Sequence, residues 1–269
     1  MKVLIWNVSG LGQSSRKSVV RAFTSKLSPT ILALLKTKLL APNHQLIRRV
    51  WGSRPYHWIS LPADGASGGI WVVWHPFDLS LINHFIGSFS VTLLLSNISD
   101  GVQWKFSAVY GPNSCFLMQR FWLELDHISS LPHLVWCVGG DFNVTRWSYE
   151  RNTSTSISPE MRDFSDFISR NDLLDIPLQS CQYTWSSHSP NPTLCKLDRF
   201  LISMEWEEKF SRTLSQALPK PASDHCPILL DTKAINRRLP SVLNFTSCKR
   251  LISTLSSKPG ELIGISGIW

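Results

Sequence analysis

Short apolar runs that stop at small polar turns recur from Lys2 to Asp231. This is the pattern of buried strands rather than of long helices. The stretch around which the rest is organised is His133-Leu134-Val135-Trp136-Cys137-Val138-Gly139-Gly140-Asp141-Phe142-Asn143-Val144, a continuous apolar run ending in a polar turn. Such a run suits a strand covered on both faces, and ligands gather where the strands of such sheets end. Gly139 and Gly140 would let the backbone come close to whatever lies there, and Asp141 and Asn143, two apart, can point to one side. An anionic acceptor and an amide would then face one pocket, suited to a water beside a phosphoryl group or a metal ion. The plain alternative is an Asx turn satisfying its own backbone.

The same pattern predicts strands over Lys2 to Asn7, Thr30 to Leu35, Tyr56 to Ser60, Gly69 to Trp74, Ser88 to Ser96 and Gln103 to Tyr110. Shorter ones are expected over Gln182 to Ser186, Lys196 to Ser203 and Pro227 to Asp231. Helical spacing marks Ser15 to Lys26, capped by Ser14 or Ser15, then Asn43 to Trp51, Phe116 to Ser130 and Pro159 to Asn171. Pro159 stands in the first turn of the last of these, and Glu160 suits its positive end. Strands and helices mix without strict alternation, which fits a mixed-sheet sandwich with outer helices, an α/β (α+β) architecture. After Asp231 the chain turns rich in Ser, Lys and Arg and loses its periodicity, so one domain is expected over residues 1–231 and a tail, partly disordered, over 232–269.

The chain has 269 residues, enough to bury one substantial core, and no apolar run long enough to span a bilayer. Its opening strand is too short for a secretory signal, so a protein of the nucleus or cytoplasm, away from membranes, is expected. Its six cysteines show no zinc-ligand spacing and read as reduced, with several packed in strands as small hydrophobes. A formal charge of +8, spread without blocks, favours an anionic partner, most commonly nucleic acid. A monomer is expected.

Five strand ends join apolar runs to groups that can do chemistry: Trp6-Asn7, Tyr110-Gly111-Pro112-Asn113, Gly140-Asp141-Phe142-Asn143, Leu197-Asp198-Arg199-Phe200 and Ser223-Asp224-His225-Cys226-Pro227. Each has a plain explanation. Asn7 serves as a turn residue, Tyr110 as a half-buried aromatic, Asp198 pairs with Arg199 or Lys196, and Asp224-His225 caps a turn. Trp136, Tyr183 and Trp185 read first as core, with Trp185 near enough to a strand end to border a pocket.

In this order the five resemble the endonuclease/exonuclease/phosphatase family, which includes deoxyribonuclease I and abasic-site endonucleases. The phrasing from Lys2 to Gly12, with Met161-Arg162-Asp163-Phe164 and Leu197-Asp198-Arg199-Phe200, looks most like the endonuclease domain of plant LINE-type non-LTR retrotransposons. The resemblance implies a deoxyribonuclease-I-like, four-layer αββα sandwich that hydrolyses DNA phosphodiesters with Mg²⁺. It implies that Asp141 orients or deprotonates water, Asn143 binds the phosphate, and His225, its tautomer fixed by Asp198, stabilises the phosphoryl oxygen. Asn7 and Asp224 would sit near the metal, and Tyr110 and Asn113 would contact the phosphate.

One position departs from the family. Where its members carry a metal-binding Glu, this chain has Lys36, in Leu35-Lys36-Thr37-Lys38. An ammonium offers Mg²⁺ no lone pair, and the exchange moves local charge by about two units toward positive. Three readings follow: a DNA endonuclease impaired at its metal, an inactive remnant that still binds nucleic acid, or a phosphoesterase acting on a phospholipid or inositol phosphate.

Overall fold

The computed structural model describes residues 1–65, 67–132, 135–153 and 156–233. In chain order it runs β1 (Lys2–Asn7), α1 (Ser14–Leu27), β2 (Ile31–Leu35), α2 (His44–Trp51), β3 (His57–Asp64), β4 (Ser67–Trp74), β5 (Leu79–Ile86), β6 (Ser90–Asn97) and β7 (Gln103–Tyr110). Next come α3 (Cys115–Ser130), β8 (Trp136–Asp141), a 3₁₀ turn (Ser148–Glu150), α4 (Pro159–Arg170), β9 (Leu173–Asp175), β10 (Leu178–Gln179), β11 (Trp185–Ser186) and β12 (Leu194–Cys195). The described chain closes with β13 (Asp198–Ser203), α5 (Met204–Lys209), β14 (Leu214–Ala217) and β15 (Ile228–Asp231).

Two mixed sheets form the middle layers, one ordered β10-β14-β15-β1-β2-β4-β3 and the other β5-β6-β7-β8-β13-β9. Strand alternation puts Val3 and Ile5, Ala33 and Val72 from the first sheet against Leu93, Phe106, Cys137 and Phe200 from the second, all fully shielded from water. Their other faces carry the helices. Trp6 lies 5.5 Å from Phe23 of α1 on one side. On the other, Phe121 and Trp122 of α3 and Phe164 and Phe167 of α4 join Val138, Phe142 and Leu201 in a second core. The result is a four-layer αββα sandwich.

Register brings the chemistry to one end. Tyr110 of β7 and Asp198 of β13 both lie directly opposite Asp141 of β8. Residues facing each other across neighbouring strands share a side, so these three side chains start from adjoining positions. In the other sheet, Asn7 ends β1 opposite Leu35, with Lys36 next, and Ile5 lies opposite Ile228, which brings residues 223–226 to the same end.

Several elements differ from expectation. Gln13, not Ser14 or Ser15, precedes α1, and among the described residues no side chain caps that helix, whereas Asn43 and Ser158 cap α2 and α4. Neither β9, β10, β14 nor α5 shows a clear period over so few residues, and β5 is an exposed edge strand bulged between Leu81 and Asn83. The strand expected over Lys196 to Ser203 starts two residues later, as β13 at Asp198, and a separate short β12 precedes it. Gly139 and Gly140 serve the core rather than a ligand. A Cβ on Gly139 would come within 2.6 Å of Phe200 and 2.8 Å of Ile5, and one on Gly140 within 2.0 Å of the Val109 carbonyl. Thr232 donates its N–H to the Met1 carbonyl, and the tail from residue 234 lies outside the described residues, as do His133 and Leu134.

Candidate active site

Four of the expected residues form one hydrogen-bonded row at the strand ends. Asp198 Oδ2 lies 2.8 Å from His225 Nδ1. His225 Nε2 lies 3.2 Å from the Asn7 amide nitrogen, which donates to Asp141 Oδ2 at 2.8 Å. Asp198 acts as acceptor, so Nδ1 carries a proton, and when the imidazole is neutral its Nε2 offers a lone pair to Asn7. When the ring takes a second proton, Asp141 Oδ2, 3.6 Å away, becomes its counter-ion. All four side chains are buried, and β1, β8, β13 and the turn before β15 each supply one.

Burial opposes charge on His225, but the charges of Asp198 and Asp141 outweigh it and raise its pKa to about 9. Burial raises Asp141 to about 6, with His225 pulling it down and Asp198 pushing it up. A carboxylate so placed has the basicity of a general base near neutrality. Burial also pushes Tyr110 up, to about 12, reinforced by Asp141, so the phenol remains a neutral donor.

Asp141 and Asn143 realise both readings of their turn. Asp141 Oδ1 accepts from the Asn143 backbone N–H at 2.9 Å, a true Asx turn, while Oδ2 serves the row. Asn143 adopts φ +53°, which Asn tolerates better than most residues, and its amide donates to the Gly111 carbonyl. Asn143 and the exposed Asn113 line one cleft of about 380 Å³ with Thr145, Arg151, Cys195 and Leu197.

Three partners were not apparent from sequence. Ser9 donates its hydroxyl to Asp224 Oδ1, and its N–H donates to Asn7 Oδ1 at 3.0 Å. Thr184 Oγ1 accepts the backbone N–H groups of both Leu197 and Asp198 at 3.0 Å, fixing the start of β13. Ser223 donates to the Asn7 carbonyl at 2.7 Å. Ser9 and Ser223 had left a signal, Ser9 two residues past Asn7 in the same turn and Ser223 at the head of the motif that carries Asp224 and His225. Trp185 does border the site, donating its indole N–H to Asp224 Oδ2 at 3.1 Å with its ring 6.5 Å from His225. Burial opposes ionisation of Asp224, but the Ser9 hydroxyl, His225 and the Trp185 indole hold it well below the usual carboxylate range.

A hard divalent cation fits this donor set poorly. Asp141, Asp198 and His225 offer ligand atoms within 4.8 Å of one another, but a cation among them would have to displace hydrogen bonds of the buried row. Asp224 and the Asn7 carbonyl remain as oxygen donors, and both oxygens of Asp224 already accept hydrogen bonds. Lys36, next after Leu35 at the end of β2 and at φ +52°, brings an ammonium 6.0 Å from the centre of the Tyr110 ring. Mg²⁺ takes six oxygens, and the residue that follows β2 offers an ammonium instead.

A model of the endonuclease/exonuclease/phosphatase family matches residues 4–225. Among solved structures, the AP endonuclease LMAP from Leishmania major aligns with a TM-score of 0.69 at 19% identity, covering 85% of this chain and 86% of that one. The endonuclease domain of TRAS1, a telomere-specific non-LTR retrotransposon, gives 0.66 at 9% identity, covering 88% and 99%. The 3′ phosphatase NExo from Neisseria, bound to product DNA hairpin, gives 0.65 at 17% identity, covering 86% and 98%. No curated protein matches the sequence.

Proposed function

The chain belongs to the endonuclease/exonuclease/phosphatase family, and from that premise we propose that it is a DNA phosphodiesterase domain of retroelement origin, its hydrolytic groups assembled and its metal position impaired by Lys36. The observation that carries this reading is the row Asp198–His225–Asn7–Asp141, drawn from both sheets to one end of the sandwich. In it Asp141 orients a water and takes its proton, with Asn7 holding the carboxylate in place. As the water oxygen attacks phosphorus and the 3′ oxygen leaves, His225, fixed by Asp198, donates to the phosphoryl oxygen where charge builds. Asn143 and Asn113, on the adjoining cleft, contact the phosphate, and Tyr110 adds a neutral phenol donor. The net charge of +8 suits a polyanionic substrate. The retroelement origin rests on the phrasing at residues 2–12, 161–164 and 197–200.

The test is nicking of supercoiled plasmid by the full chain with Mg²⁺ and with EDTA, beside Asp141→Ala and His225→Ala variants. Slow nicking that EDTA and either substitution abolish is the expected result. A folded protein that retains salt-sensitive DNA binding without nicking would instead support an inactive binding remnant. Turnover of an inositol phosphate in place of DNA would overturn the nucleic-acid substrate.

A further inference from the structure

The loop that leaves the Asp141–Asn143 turn presents two aromatic rings to water. Trp147 is 39% exposed and Tyr149 66% exposed, and their rings lie parallel within 12° with centroids 6.5 Å apart. The Arg146 guanidinium lies 4.9 Å from the centre of the Trp147 ring, and Arg151 follows on the rim of the cleft that Asn143 lines. An exposed aromatic pair flanked by arginines is unlike the rest of the aromatic inventory, most of which is packed in the two cores.

The loop is also held in place from beneath. Glu150, buried between the rings and β13, accepts the backbone N–H groups of Arg146 at 2.6 Å and Trp147 at 3.3 Å. Its carboxylate is gripped on the other side by both terminal nitrogens of Arg199, at 3.0 and 2.8 Å. The Tyr149 carbonyl accepts from Gln182 at 3.2 Å. Rings mounted on a fixed backbone and left uncovered are preorganised for a planar guest.

We infer that Trp147 and Tyr149 form a stacking platform for an unpaired base of a nucleic-acid strand, with the exposed Arg151 meeting its phosphates beside the candidate hydrolytic site. This deepens the proposed function and rests on its nucleic-acid reading. The exposed Arg151 beside the rings selects a polyanion over a neutral protein surface. The flat rings select an unstacked base over a paired one, because a base inside a duplex offers no free face. The platform would therefore favour strands with a single-stranded or extrahelical nucleotide.

The experiment measures binding of the full chain, in EDTA so that nothing is cleaved, to a single-stranded oligonucleotide and to a blunt duplex of matched length. Wild type is compared with a Trp147→Ala/Tyr149→Ala variant and with the conservative Trp147→Phe/Tyr149→Phe variant. The alanine pair is expected to weaken single-strand binding about ten-fold or more and the duplex by less than about two-fold, while the phenylalanine pair keeps most of the affinity. A 2-aminopurine in the single strand should be quenched by wild type and by the phenylalanine pair, and not by the alanine pair. Unchanged single-strand binding, or equal loss on both substrates, overturns the platform while leaving the DNA phosphodiesterase reading intact. Failure of wild type to bind either substrate overturns both.

Discussion

Arg199 offers a decisive test of how the site is mounted. Its side chain is fully buried, bonded to Glu150 at 3.0 and 2.8 Å and to Asp175 at 2.6 Å, and its guanidinium lies 5.0 Å from the ring centre of Phe164. Arg199→Met keeps the volume and removes the charge, leaving two carboxylates only 5% and 10% exposed. Losing one partner of a buried pair costs about 3–5 kcal/mol. Lys196, 3.5 Å from both carboxylates, and Arg146, 3.9 Å from Asp175, soften the loss, so the lower end, about 3 kcal/mol, is expected. The loss should also depend on pH. Burial alone would raise the Glu150 pKa, but Arg199 more than offsets this and holds it below its ordinary value of 4.5. A group with a depressed folded pKa stabilises the protein above its unfolded value, and that stability is lost as pH falls through the folded one. Without Arg199 burial prevails, the folded pKa rises, and acid relieves the strain. Urea unfolding of both proteins at pH 7 and pH 4 should show a gap that is wide at pH 7 and narrows at pH 4. A gap under about 1 kcal/mol at pH 7, or one indifferent to pH, would refute the argument.

Lys36→Glu supplies a carboxylate where an ammonium now stands, and should raise Mg²⁺-dependent plasmid nicking at least ten-fold; no gain from a correctly folded variant would refute the impaired-metal reading. Thr184→Val removes the shared acceptor of the Leu197 and Asp198 N–H groups and should lower stability by about 1–3 kcal/mol in urea unfolding, with nicking reduced because Asp198 opens β13. Lys105, whose ammonium donates to the Ile128, Ser129 and Leu131 carbonyls at the end of α3, is driven down to about 8 by burial. The unfolded chain therefore holds more protons between pH 8 and 10.5, so wild-type stability should gain from that term as pH rises through the window. Lys105→Met should lack that gain in unfolding curves taken at pH 8 and pH 10.

Much of this architecture is legible in the sequence because burial is written as period. The apolar runs at Lys2–Asn7, Ile31–Leu35 and Gln103–Tyr110 are strands, and the helical spacing at Pro159–Arg170 is a helix capped by Ser158. What escaped notice was either too short to show a period, as in β9, β10 and β14, or depended on partners distant in sequence, as with Thr184 and Asp198. The Leu197-Asp198-Arg199-Phe200 motif shows why pairing by sequence proximity misleads. Asp198 beside Arg199 reads as a local ion pair, yet consecutive strand residues point to opposite faces. On β13 that alternation sends Asp198 toward His225 and Arg199 toward Glu150 and Asp175. A local pair would have cancelled the charge that raises His225 and fixes its tautomer. By turning the guanidinium to the other face, the strand leaves Asp198 to the imidazole, and it uses Arg199 to fasten the loop that carries Trp147 and Tyr149. One dipeptide thus ties the candidate hydrolytic row to the candidate stacking platform, through the two faces of a single strand.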